Sequence, residues 1–147
     1  MRGSKPTLAR HGNVLALLAG KFMLASIGLA HAAGCNFEPQ GTGRVTAVVD
    51  ARSVRLDDGR EVRLAGIEAP DRTKAAAALS ALLVGREVTL RGEDETPDRY
   101  GRQSAFVFLA GAETPIQADL LQRGEALVSA EISNRDCALL LLAAEAE

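Results

Sequence analysis

Val54-Arg55-Leu56-Asp57-Asp58-Gly59-Arg60-Glu61-Val62-Arg63-Leu64 holds two alternating runs on either side of an Asp-Gly pair. Alternation has the period of a strand, and Asp-Gly between two such runs is a strong short-range hairpin signal. The parity of the runs assigns faces. Val54, Leu56, Val62 and Leu64 share one apolar side, so Arg55, Glu61 and Arg63 point to the other. An arginine held at a fixed position on the polar face of a hairpin is the first candidate for chemistry.

On the N-terminal side of this hairpin, residues 43–49 contain Val45, Ala47, Val48 and Val49 and read as a further strand. On the C-terminal side, residues 66–70 leave the strand, and Pro70 ends regular pairing. Residues 74–84 place Ala75, Ala78, Leu79, Leu82 and Leu83 at helical spacing, with Gly85 as the stop. Residues 87–91 form a strand with Val88 and Leu90 inward, residues 92–101 a charged turn, and residues 104–109 another strand carrying Phe106 and Phe108 into the core. A short amphipathic helix spans 115–124 with Ile116, Leu120 and Leu121 on its apolar side. Leu127-Val128 is extended, and a last helix runs from 135 to 147. The order is β-β-β-α-β-β-α-α. Five short strands with a helix after the third suit an α+β, mainly β fold, a five-stranded Greek-key barrel of the OB type with about three helices.

The first part of the chain is different in kind. Arg2, Lys5, Arg10 and Lys21 are basic, no acid precedes Glu38, and residues 22–29 are a short apolar run followed by Ala30-His31-Ala32. That is the layout of a secretory signal peptide over residues 1–32, and the run is too short to span a bilayer comfortably. Residues 33–42 then read as an arm and residues 43–147 as the domain. A retained anchor helix from near Val14 is the plainer alternative. Lipidation of Cys35 is a weaker one, because Ala32-Ala33-Gly34 is only a loose lipobox. A chain that stops inside a helix without cap or charged tail leaves open a truncated C-terminus.

Removing the leader changes the electrostatics. The whole chain has 17 basic and 19 acidic residues, and the remainder has 13 and 19, a net charge of −6. That is not the footprint of an avid, nonspecific nucleic-acid binder. His11 and His31, the only histidines, leave with the leader. Ser-His-Asp and Cys-His catalysis and histidine-bound zinc are therefore excluded from the exported part. Two cysteines remain, Cys35 and Cys137. In an exported chain such a pair reads first as a disulfide. Two unpaired thiols, with Cys137 buried on a helix, are the alternative. Export to the periplasm or the medium is the expected location.

Three segments stand together in order: Val48-Val49-Asp50-Ala51-Arg52-Ser53; Val62-Arg63-Leu64-Ala65-Gly66-Ile67-Glu68-Ala69-Pro70-Asp71; and Asp98-Arg99-Tyr100-Gly101-Arg102. Together they resemble the thermonuclease family, also called staphylococcal-nuclease-like. Its pattern is roughly V-[IV]-D-G-D-T, then [VF]-R-L-x-[GL]-[IV]-D-[TA]-P-E, then D-x-Y-G-R. The resemblance implies an exported nuclease or phosphodiesterase acting on DNA or RNA. By position, Arg63 and Arg102 fall on the family's catalytic arginines, whose forks hold the scissile phosphate. Asp71 falls on the acid that activates or orients water and is one methylene shorter than the family glutamate. Tyr100 falls on a tyrosine near the nucleotide's phosphate. Glu68 falls on a calcium ligand, Ala69 on a residue offering its backbone carbonyl, and Asp50 on an acid just behind the metal.

One position breaks the pattern. Arg52 stands where a second acid should ligate calcium, or another divalent cation. Like charges about 4 Å apart at an effective dielectric of about 20 repel by about 4 kcal/mol, which weakens a bound cation roughly a thousandfold. Calcium-dependent cleavage is therefore expected to be weak or absent. The alternative function is a catalytically inactive OB domain that binds nucleic acid, another anionic ligand or an envelope protein.

Overall fold

The computed structural model describes Cys35 and residues 38–147. The expected leader lies outside the described residues. The chain runs β1 (Pro39–Asp50), β2 (Ser53–Leu56), β3 (Glu61–Leu64), β4 (Ile67–Glu68), α1 (Arg72–Leu83), β5 (Glu87–Arg91), β6 (Arg102–Leu109), α2 (Ile116–Gln122), β7 (Leu127–Val128) and α3 (Arg135–Glu145).

Five of the strands close into a barrel in the order β1-β2-β3-β6-β5, with β1 and β5 meeting at the seam. Closure depends on β1 serving two neighbours. Its first half, Pro39 to Arg44, pairs with β5, and its second half, Val45 to Asp50, pairs with β2. Register shifts at Gly41, Val45 and Val48 mark bulges, which bend a strand and raise its twist. The strand begins at Pro39 rather than at residue 43. Pro39, Gly41 and Gly43 are weak strand formers with no alternation, so their pairing comes from β5 and not from local propensity. The β2–β3 hairpin turns at Gly59, whose φ of +87° few other residues adopt. The parallel β3–β6 pair completes the barrel.

The predicted parity holds: Val54, Leu56, Val62 and Leu64 are all fully buried. They meet Val45, Val88, Leu90 and Phe108 from the other strands. Ala75, Leu79 and Leu83, spaced by four along α1, form its buried face. Burying a leucine contributes about 2 kcal/mol, and Leu79→Ala would cost roughly 2–5 kcal/mol with the cavity it leaves. After α1, the Gly85 N–H donates to the Val45 carbonyl at 2.8 Å, tying the helix exit to β1. α2 packs between β6 and α3. Gln117, fully buried on α2, accepts from the Val107 N–H at 3.2 Å and donates to the Ala105 and Ala65 carbonyls at 3.0 and 3.3 Å. One amide side chain thus ties α2 to β6 and to the end of β3.

Outside the barrel, β4 and β7 pair as a small second sheet, so the segment after β3 regains a strand that its sequence does not announce. Cys35 and Cys137 form a disulfide across 102 residues, fastening the chain ahead of β1 to α3. No described helix is long and apolar enough to cross a membrane.

Candidate phosphate site

The site grows from one edge of the barrel, where the β1–β2 turn, β3, β4 and the start of β6 converge. Arg63 lies on β3 opposite Ser53 of β2 and Ser104 of β6. Arg102 is two residues before Ser104 on β6, so strand parity puts it on the same face as Arg63, one step diagonally away. The register therefore sets the two arginines on one face of the barrel.

Their environments differ sharply. The Arg102 guanidinium donates through Nε and Nη2 to Asp98 Oδ2 at 3.0 and 2.8 Å, and its Nη1 lies 3.7 Å from Asp50 Oδ2. The Tyr100 ring lies under it, 5.0 Å from the guanidinium carbon, and Arg99 sits 4.8 Å from the same ring. The hydrogen bond that Arg102 donates to Asp98 raises the Arg102 pKa further. Arg63, half-buried, makes no side-chain hydrogen bond or ion pair among the described residues. Burial first, then the charges of Arg52 and Arg102, pull its pKa below the usual arginine range. The carboxylates of Asp98 and Asp50 act on it in the opposite sense without bonding to it, so its fork is free of an ion pair, the form in which a guanidinium can take two oxygens of an external anion.

Asp98 is the organiser that motif reading left without a role. Oδ1 accepts the Tyr100 and Arg102 N–H groups at 2.8 and 3.0 Å while Oδ2 holds the Arg102 fork. These bonds, led by the Arg102 N–H, lower its pKa to about 2. The signal was present in sequence: an Asp two residues before an N–H that it can accept is an Asx turn.

Arg52 is bonded to the protein at both ends. The Asp50 carboxylate accepts its backbone N–H at 2.9 Å, its carbonyl accepts from Leu64 N–H at 2.8 Å, and its Nη1 donates to the Ile67 carbonyl at 2.8 Å. It lines two adjoining cavities. The larger, about 400 Å³, has Arg63, Ser104, Phe106, Ser129 and Ile132 on its walls and the acids Glu93, Asp94, Asp98 and Glu131 around them. The second, about 380 Å³, is lined by Asp50, Ala51, Arg52, Glu68, Ala69, Arg72 and Arg102. Glu68 reaches this second cavity and accepts a hydrogen bond from Ser129 Oγ at 3.4 Å. Asp71 reaches neither: its Oδ1 accepts the Lys74 N–H at 3.0 Å and caps α1. Tyr100, 66% exposed, lies outside both.

Calcium takes six to eight oxygen ligands. The second cavity offers two carboxylates against three guanidiniums, and one of those carboxylates already faces Arg52 and Arg102. Among the described residues no three acidic, histidine or cysteine side chains come together so that they could hold a metal ion. This donor set does not fit a hard divalent cation.

The model of the family described as staphylococcal nuclease homologue matches residues 61–147. The chain belongs to this family. Its barrel is accordingly an OB-fold, and the matched stretch contains Arg63, Glu68, Asp71, Asp98, Tyr100 and Arg102. No curated protein matches this nuclease homologue. The Asp50-Ala51-Arg52 turn precedes the matched stretch.

Proposed function

We propose that this staphylococcal nuclease homologue is an exported phosphodiesterase that hydrolyses DNA or RNA. The observation that carries this reading is the pair of arginines on one barrel face: Arg102 locked by Asp98, Arg63 left without a protein anion. The two forks would hold the scissile phosphate and stabilise the charge that builds on its oxygens, the term that contributes most in such chemistry. Water oxygen adds to phosphorus, its proton passes to a carboxylate acting as base, one P–O ester bond breaks, and the leaving oxygen takes up a proton. Asp71 is the acid expected by position. In this reading its carboxylate caps α1, and Glu68, which shares a cavity with Arg102, directs the water. Tyr100 covers the Arg102 guanidinium and offers the substrate an exposed ring. The disulfide supports an oxidising compartment, the periplasm or the medium.

The test is cleavage of plasmid DNA and of RNA by the purified protein in calcium, magnesium or EDTA, against Arg63→Ala with Arg102→Ala. Cleavage by the wild type that the double variant lacks supports the reading. Equal activity in both, or none in either, overturns it. A second reading, an inactive domain that binds nucleic acid, another anionic ligand or an envelope protein, draws on Asp71 being engaged as a cap. It predicts binding without turnover.

A further inference from the structure

Three arginines line the two cavities and Arg52 is common to both: Arg63 lies on the first and Arg102 on the second, and the charges of Arg52 and Arg102 are both felt at Arg63. Like charges separate unless something holds them, and two of the three are held by side-chain bonds. Arg102 is held by Asp98, and Arg52 by the Ile67 carbonyl and by its own Asx turn on Asp50, while β3 carries Arg63 to the same region with its guanidinium unbonded among the described residues. Nη1 of Arg52 takes the Ile67 carbonyl, which leaves Nη2 and Nε as further donors. Asp98 is spent on Arg102, and Asp50 accepts from Arg52 and faces Arg102. Glu68 is the one other carboxylate on the second cavity, where Arg72 adds a further positive charge.

We infer that Arg52 takes over the charge of a divalent cation, so that this site binds a nucleic-acid phosphodiester through three guanidiniums without metal. The inference rests on the proposed phosphodiesterase reading for the choice of ligand, but not on turnover. A guanidinium fork matches two phosphate oxygens at once, whereas a cation beside Arg52 would lose its acid ligand and gain a like charge. Calcium should therefore leave phosphate affinity unchanged.

Binding can be read without catalysis. Tyr100 is the sole tyrosine, tryptophan is absent, and its ring lies 5.0 Å from the Arg102 guanidinium carbon. Its fluorescence therefore reports on the site directly. The purified protein is titrated with a short phosphorothioate oligonucleotide, which resists cleavage, in EDTA and again with calcium. The expected result is the same saturable change in both. Arg52→Gln should bind roughly tenfold to a hundredfold more weakly in EDTA, the range for losing a charge-assisted hydrogen bond. Arg52→Lys, which keeps the charge and loses the fork, should fall between. Arg52→Asp should bind weakly in EDTA and gain affinity with calcium. Wild-type binding that needs calcium, no binding under either condition, or Arg52→Gln binding like the wild type while melting at the same temperature would each overturn the inference. Binding in EDTA without any cleavage sinks the hydrolase reading and leaves the role of Arg52 standing. Cleavage that requires calcium does the reverse.

Discussion

Asp98 and Arg102 form one rigid unit: the carboxylate holds the guanidinium fork with one oxygen and the backbone around it with the other. The Asp98 pKa of about 2 lies below the ordinary 3.8, so the ionised form is favoured by folding. The stability it adds is complete above the unfolded value and is lost as pH falls from about 4 through about 2. Asp98→Asn should melt below the wild type at neutral pH, with the gap closing across that acid window. Thermal melts of both proteins against pH check this; a gap independent of pH would contradict it.

Arg63 and Arg102 should separate stability from activity. On the proposed phosphodiesterase reading, replacing either removes a phosphate donor, and losing one such donor costs about a hundredfold to a thousandfold in turnover. Arg63→Ala removes a half-buried charge pressed by two like charges, so its melting temperature should be no lower than that of the wild type. Arg102→Ala strips Asp98 of its fork and should melt lower. Melting curves and cleavage rates on the same preparations test the contrast.

The two acids are distinguished by a different pair of changes. Asp71→Ala removes a helix cap and should cost about 1 kcal/mol, whereas Asp71→Asn keeps an accepting oxygen and should cost little. If Asp71 acts mainly as a cap, Asp71→Asn retains most of the cleavage rate and Glu68→Gln loses it by a hundredfold or more, within the range of general acid–base contributions. The reverse order of rates would return the water-directing role to Asp71.

Gln117 supplies a prediction remote from substrate. Its amide makes three hydrogen bonds at the junction of α2 with β3 and β6. Gln117→Leu keeps the bulk and leaves buried backbone groups short of partners, a loss of roughly 1–3 kcal/mol in denaturant unfolding. Unchanged stability would mean that water or backbone adjustment replaces the side chain.

Much of this arrangement was legible in the sequence because it is local. The Asp58-Gly59 turn and the parity of Val62 and Leu64 placed Arg63 on the polar face, and the helical spacing of Ala75, Leu79 and Leu83 gave α1 its buried side. What stayed hidden depends on distant partners. Pro39 to Thr42 become strand only because β5 lies beside them, and Ile67-Glu68 only because Leu127-Val128 return across the chain. Site composition was readable as motifs, yet the spacing D-x-Y-G-R does not say that its first residue clamps its last. Nor does the identity of Arg52 say where its guanidinium goes. That depends on the Ile67 carbonyl, fifteen residues away.

The link between Cys35 and Cys137 turns the domain into a covalent ring that contains all five barrel strands and every arginine of the site. A protease that cuts the exposed 92–101 loop opens this ring but releases nothing. The nicked protein should migrate as one species without reductant and as two with it, and its strands remain tethered for re-pairing. The disulfide thereby protects the domain from the first cut, and a reducing compartment withdraws that protection.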